Sequence, residues 1–274
     1  MKIYIMTDME AVAGVVDSDN YCNKSSRYYE RGRELTTLET NAAIEACLEA
    51  GATEILVVDG HGHEAIDPIL LHPEAKLLAG RPIGYPFGCD DSFDAALSIG
   101  QHAKSNTDGG HLAHTGSFNV EELTINGVSV GEMGCNFLFA SYFGVPSIFL
   151  SGDQAAADEA KALVPNIETA AVKAGLQRGP AAGISGDDNR KFNGAAIHLH
   201  PTKARKLIKA GVQRALANRS AIKPFWLEPP YELLSVSRPD NGVPARTARA
   251  TADDLLQLLR APRTYVESHA VPAR

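Results

Sequence analysis

The chain opens on K-I-Y-I-M-T, residues 2 to 7, a short apolar run rich in β-branched side chains. Such a run predicts a buried strand. Residues 28 to 50 follow with a helical period, Leu35, Leu38, Ala42, Ile44 and Leu48 forming a rough apolar stripe and Gly51 placed to stop it. E-I-L-V-V-D, residues 54 to 59, predicts a second buried strand, so the first 60 residues spell a parallel strand–helix–strand unit. Further strands are expected at 95 to 100 and in P-S-I-F-L. A hairpin is expected around Asn126-Gly127, where apolar alternation flanks a two-residue turn signal. Helices are expected at 131 to 143, from Asp153 as N-cap onward, and at 202 to 217. The Gly-, Asp- and Asn-rich stretch from 178 to 194 reads as a long loop. The C-terminal part predicts strands near 231 to 237 and 244 to 250, then a helix at 252 to 260. The pattern predicts a three-layer α/β/α fold with a mixed, largely parallel sheet. One domain over 1–274 is expected, with a smaller C-terminal lobe from about 180 as the alternative.

Composition narrows the class. With 274 residues, 44% of them hydrophobic, the chain supports a full core. A formal net charge of -7 and the lack of any long Lys/Arg block argue against nucleic-acid or anionic-membrane binding. Asp8 and Glu10 interrupt the first apolar run too early for a signal peptide, and no run reaches the roughly 18 apolar residues of a membrane span. Cys22, Cys47, Cys89 and Cys135 are widely spaced with no C-x-x-C pair, which fits a reducing cytoplasm.

Polar residues gather where elements end. Asp8 and Glu10 follow the first strand; Asp59 and His61, in D-G-H-G-H, follow the second. His102 follows the strand at 95 to 100, His111 and His114 lie in H-L-A-H, and Glu132 opens a helix. Taken singly, each is more simply a solvated turn residue or a cap. In a parallel sheet, however, the carboxyl ends of the strands share one edge, the usual rim for ligands. Three carboxylates converging there repel one another unless a cation is present. A nitrogen–oxygen donor set without thiolate suits zinc, manganese or cobalt, and a two-metal site can activate water and polarise a carbonyl.

Several ordered segments carry a resemblance: M-T-D-M-E, Y-Y-E-R-G-R, E-I-L-V-V-D-G-H, L-H-P-E-A, G-Q-H-A, A-H-T-G-S-F, V-G-E-M-G and A-A-V-K. Over residues 1 to about 180 the sequence resembles the zinc-dependent D-aminopeptidases of the dipeptide-transport-operon type. Met6 and Ala11 stand where that family's first motif has serine and glycine; both acids are kept. The resemblance implies two zinc ions per subunit held by Asp8, Glu10, His61, His102 and Glu132, and a catalytic His114, with His111 a rival through a loop one residue longer than the family's. It also implies a short peptide substrate and a ring-like homo-oligomer, a decamer among its candidate sizes. The expected activity is removal of the N-terminal residue by activated water. The alternatives are another two-metal hydrolase, an amidase or phosphoesterase, and a non-catalytic protein stapled by metal. A dinucleotide-binding enzyme is disfavoured because D-M-E-A-V-A-G stands where a G-x-G-x-x-G turn belongs.

Overall fold

A computed structural model describes residues 1–267. Its strands are β1 (Lys2–Thr7), β2 (Glu54–Asp59), β3 (Lys76–Leu78), β4 (Ala95–Gln101), β5 (Val120–Ile125), β6 (Val128–Ser129), β7 (Ser147–Asp153), β8 (Glu168–Gly175), β9 (Ala196–His198), β10 (Tyr231–Ser237), β11 (Arg246–Ala252) and β12 (Val266–Glu267). The helices are α1 (Ser18–Tyr21), α2 (Tyr29–Glu49), α3 (Glu132–Tyr142), α4 (Gln154–Leu163), α5 (Gly186–Phe192), α6 (Pro201–Ala217) and α7 (Leu255–Arg260).

Seven strands make the main sheet in the order β3-β2-β1-β4-β7-β8-β9. Every pairing is parallel except β8 with β9. The chain travels outward from β1 to β2 and β3, then returns to β1's other side with β4. That reversal opens a crevice at the carboxyl ends of β1 and β4, where ligands sit in open α/β sheets. Register aligns the strand ends: Thr7 lies opposite Asp59 on one side and Ile99 on the other. Asp8, His61 and His102 therefore leave the sheet at one level.

Strand alternation divides the core into layers. Ile3 and Ile5 pack with Ala43 and Cys47 of α2 and Ile208 of α6. Tyr4 and Met6 belong with Phe139 of α3 and Leu233 of β10 on the opposite face. That face also carries a second sheet, β12-β11-β10-β5-β6. Asn126 and Gly127 take left-handed φ values of 52° and 76°, the I′ geometry that sets the β5–β6 hairpin.

Four expectations need correcting. Leu35, Leu38 and Leu48 are only partly buried, while Gly32, Thr36, Thr37, Glu39 and Thr40 are buried. The first half of α2 packs on the loop after β1, where Met9, Val12 and Val15 form a small apolar cluster, and Glu39 accepts a hydrogen bond from Ala13 N there. The expected loop at 178 to 194 contains α5, capped by Ser185, whose hydroxyl accepts from Asp188 N. The local S-x-x-D pattern was the available signal. The strand expected at 244 to 250 runs two residues later, and the last helix starts at Leu255 behind Asp254 as N-cap. Strands β3, β8, β9 and β12 had no counterpart in the expectation; β3 and β9 are three residues each and β12 two, too short for a periodic signal.

Candidate metal centre

After Thr7 the backbone leaves strand geometry and is stitched to the end of β4. Asp8 N donates to Ile99 O at 2.8 Å and Ala11 N to Gly100 O at 3.0 Å. Gly100 has φ +76°, and a Cβ there would stand 2.2 Å from Asp8 O, so only glycine lets the loop close down. From β8, the buried Lys173 ammonium donates to Glu10 O and, at 2.9 Å, to Val15 O. On β2's side the Arg81 guanidinium donates to the carbonyls of Asp59 and His61. The loop that carries Asp8 and Glu10 is thus clamped by β4 and β8, while Arg81 holds the neighbouring turn that carries His61.

The side chains form two groups of three. Asp8, Glu10 and His61 offer donor atoms within 4.8 Å of one another, and so do His102, His114 and Glu132. His61 Nδ1 lies 3.2 Å from Asp8 Oδ1 and 3.1 Å from Glu10 Oε2. His102 Nε2 lies 3.4 Å from both Asp8 Oδ2 and Glu132 Oε1. His114 Nε2 lies 3.6 Å from Glu132 Oε1. Asp8 thus turns one oxygen to each group. The His102 and His114 rings stack at 3.9 Å, and Phe118 stacks beyond His114 at 4.4 Å.

Hydrogen bonds fix the tautomers. His61 Nε2 meets Cys22 O at 2.8 Å, His102 Nδ1 meets Ala103 O at 2.9 Å, and His114 Nδ1 meets Leu112 O at 2.8 Å. A carbonyl only accepts, so each of these nitrogens carries the proton. In the neutral rings the opposite nitrogen turns a lone pair toward carboxylate oxygens. Glu10 Oε2 and His102 Nε2 are buried with no hydrogen-bond partner: the short separations around them lack a donor's direction. Lone pairs facing lone pairs in a buried site require positive charge between them.

Electrostatics point the same way. Burial and the neighbouring Glu10 carboxylate push Asp8 up to about 7. Burial disfavours charge on His61, yet Glu10 and Asp8 overcome it and hold the imidazole well above its ordinary value. His102 is raised likewise against burial, chiefly by Glu132. Burial would raise Glu132, but His102 beside it brings it down to about 2. His114 goes the other way, lowered by burial and by His102. The carboxylates pull protons onto two imidazoles; a divalent cation supplies that charge and takes the same lone pairs. The donor set therefore fits a nitrogen–oxygen metal site.

All five expected ligands, and His114, meet at this edge. Asp59 and His111 do not join them. The Asp59 carboxylate accepts from Ala65 N and Ile66 N, holding the turn after β2. His111 N donates to Asp153, and its ring contacts Val16 O and His198. Lys104, the base nearest a ligand in sequence, turns its ammonium to Ser129 O. Sequence reading did not find Lys173, Arg81 or the Cys22 carbonyl as braces. A cavity of about 340 Å³ opens from the donors, bounded by His63, Phe118, Asn119, Asp187 and Arg190 among others.

A family model described as D-aminopeptidase matches residues 1–241, past the stretch of about 180 residues that carries the sequence motifs. The D-aminopeptidase of Bacillus subtilis (strain 168) is 38% identical over 233 residues, covering 84% of this chain and 78% of that protein. A solved structure, the Zn-dependent D-aminopeptidase DppA from Bacillus subtilis, described as a self-compartmentalizing protease, is similar with a TM-score of 0.81 and 31% identity, over 95% of this chain and 94% of that one. Sequence and fold agree across nearly the whole length, and the chain belongs to the D-aminopeptidase family.

Proposed function

We propose that the protein is a zinc-dependent aminopeptidase that removes the N-terminal residue, of D configuration, from short peptides. Family membership supports the reaction. The metal assignment rests on one observation: Glu10 Oε2 and His102 Nε2 are buried and unpartnered where imidazole lone pairs meet carboxylates. Asp8, Glu10 and His61 would hold one zinc, and His102 and Glu132 the other, with Asp8 shared between them. Bound there, zinc supplies Lewis acidity that eases deprotonation of a water and polarises the scissile carbonyl.

The remaining roles belong to the chain. His114 keeps its proton on Nδ1, bonded to Leu112 O, and presents Nε2 to the cavity. Its lowered pKa leaves it neutral and ready to take a proton from the attacking water, then return it to the leaving amine. Phe118 and His102 sandwich the ring and hold its aim. Glu132 also accepts from Gly116 N at 2.7 Å, which ties the His114 loop to the start of α3.

Further readings attach to this one. The second sheet draws strands from residues 120–129 and 231–267 and packs on the main sheet, which favours one catalytic domain over a lobe starting at about 180. We place the protein in the cytoplasm, where its four free, buried cysteines suit a reducing environment. No helix among the described residues is long and apolar enough to cross a membrane. Self-compartmentalization in the DppA structure supports a ring-like homo-oligomer here, a decamer being the size to test by light scattering.

The deciding experiment is elemental analysis with hydrolysis assayed before and after chelation, on D- and L-aminoacyl amides and on phosphate esters. Two zinc equivalents, loss of amide hydrolysis on chelation and return with zinc are expected. Full activity in metal-free protein, or turnover of phosphate esters alone, refutes the proposal.

A further inference from the structure

Among the described residues, Arg190 is the one Lys or Arg side chain that lines the cavity leading to the donor groups. It comes from α5, in the stretch the sequence pattern left as loop. Its guanidinium is oriented by two carboxylates, Nη1 at 2.9 Å from Asp19 and Nη2 at 2.7 Å from Asp187. Of these only the Asp187 contact is a hydrogen bond, so it uses one of the five N–H donors. Both partners are well exposed, so water screens them and the pairs themselves are weak. The guanidinium is held in place without being saturated.

Its position is tied to the reaction centre through the protein. Asn189 donates to Ala113 O, and Leu112 N donates to Asn193 O, so α5 is fastened to the segment that carries His114. Gly186 lies so close to Asn119 that a Cβ would stand 1.9 Å from its side-chain oxygen. His114, Phe118, Asn119 and the start of α5 all line this cavity, so its walls carry both the donor atoms and the Arg190 guanidinium. Its volume of about 340 Å³ is at the small end for ligand sites, about 300–1,000 Å³.

A short peptide has complementary ends: an amine and scissile amide at one, a carboxylate at the other. We propose that Arg190 binds the C-terminal carboxylate of the substrate, so that the cavity recognises a short peptide by both ends and selects for its length. A guanidinium fork matches a carboxylate in shape as well as charge. This rests on the aminopeptidase reading above, and the test keeps the two apart.

The experiment compares peptides of two to five residues, beginning with D-alanylglycine, each as the free acid and as its C-terminal amide. In the wild-type enzyme, kcat/KM for the free acid should exceed that for the amide by about 10- to 100-fold at one length, the scale of a charge-assisted hydrogen bond. Arg190→Gln should erase that gap by raising KM for the free acid, with kcat and the amide's constants within about threefold. Arg190→Lys, which keeps charge but not the fork, should retain part of it. Equal wild-type turnover of acid and amide at every length overturns the proposal and leaves the aminopeptidase standing. So does an Arg190→Gln enzyme that loses both substrates alike, which would mark Arg190 as merely structural. Turnover of neither peptide form, at any length, overturns both.

Discussion

The two donor groups at the sheet edge are built for different work. Asp8, Glu10 and His61 come from loops that immediately follow β1 and β2, and each side chain is about 6–7% exposed. Lys173, Arg81, Glu39 and the Cys22 carbonyl brace them from four directions. His102, His114 and Glu132 come from the turn after β4, a long loop and the start of α3, and the Glu132 side chain is 35% exposed. A closed shell holds an ion; an open one leaves room for water and substrate. On the proposed metal reading, the first group is the better holder and the second the better workplace, with Asp8 turning one oxygen to each.

The harshest way to break that division is at the shared residue. Asp8→Asn keeps shape but removes the charge facing both groups. Both metal equivalents should be lost or greatly weakened, and kcat/KM should fall about 1,000-fold or more, the several kcal/mol expected of a metal Lewis acid. Glu10→Gln should instead empty one position. Metal counts on the purified variants check this; an Asp8→Asn enzyme with two tightly held ions would mean that the groups are independent.

His114 sharpens the comparison further, because it is near enough to Glu132 to be a third ligand of the open group. As a proton carrier, its replacement by Ala should lower kcat about 100- to 10,000-fold with both ions retained. As a ligand, it would take one ion with it. His111→Ala should leave kcat within about threefold, since that ring lies against Val16 O and His198.

The same contrast explains what the sequence made legible. Asp8, His61 and His102 follow apolar strands directly, so strand order alone puts them on one rim. Their chemical partners were visible as residue types at element ends. The choice between His111 and His114 was not, because a loop through residues 102 to 114 has no period to fix which ring turns inward. Lys173 was hidden for another reason: A-A-V-K marks a family segment without giving its lysine a role, and the two carbonyl partners are about 160 residues away. Arg190 was lost with α5, seven residues whose one signal, the Ser185 cap, is submerged in a Gly-, Asp- and Asn-rich stretch.

A smaller effect should follow from Lys173→Met. The long apolar chain fills the space but leaves Glu10 O and Val15 O without their donor. Supporting groups around metal ligands are worth about 10- to 100-fold in affinity. That loss should fall on the ion held by Glu10 and spare the one held by His102. Chelator competition resolves the two; equal weakening of both would erase the distinction between a braced and an open group.

An effect on stability, with none expected on turnover, lies behind the donors, where each group has one buried carboxyl acting as a brace. Glu39 accepts from Ala13 N behind the first, and Glu159 accepts from Lys104 N behind the second. In each, the other oxygen is buried without a partner. Burial, only partly opposed by these bonds, raises Glu39 to about 8 and Glu159 to about 7. The folded state therefore holds a proton that the unfolded chain releases near 4.5, and the sign follows from linkage. Each group's contribution is fully present below about 4.5 and is lost as pH rises, through about 8 for Glu39 but only through about 7 for Glu159. Glu39→Gln and Glu159→Gln remove the respective slopes, so each variant should gain on the wild type as pH rises across its window. Denaturant titrations from pH 4 to 9 measure this at about 1.4 kcal/mol per unit of pH at most. A stability difference that stays flat from pH 4 to 9 in either variant would show that its carboxyl is already ionised in the folded state, and that burial behind that donor group is offset by the bonds and cations around it.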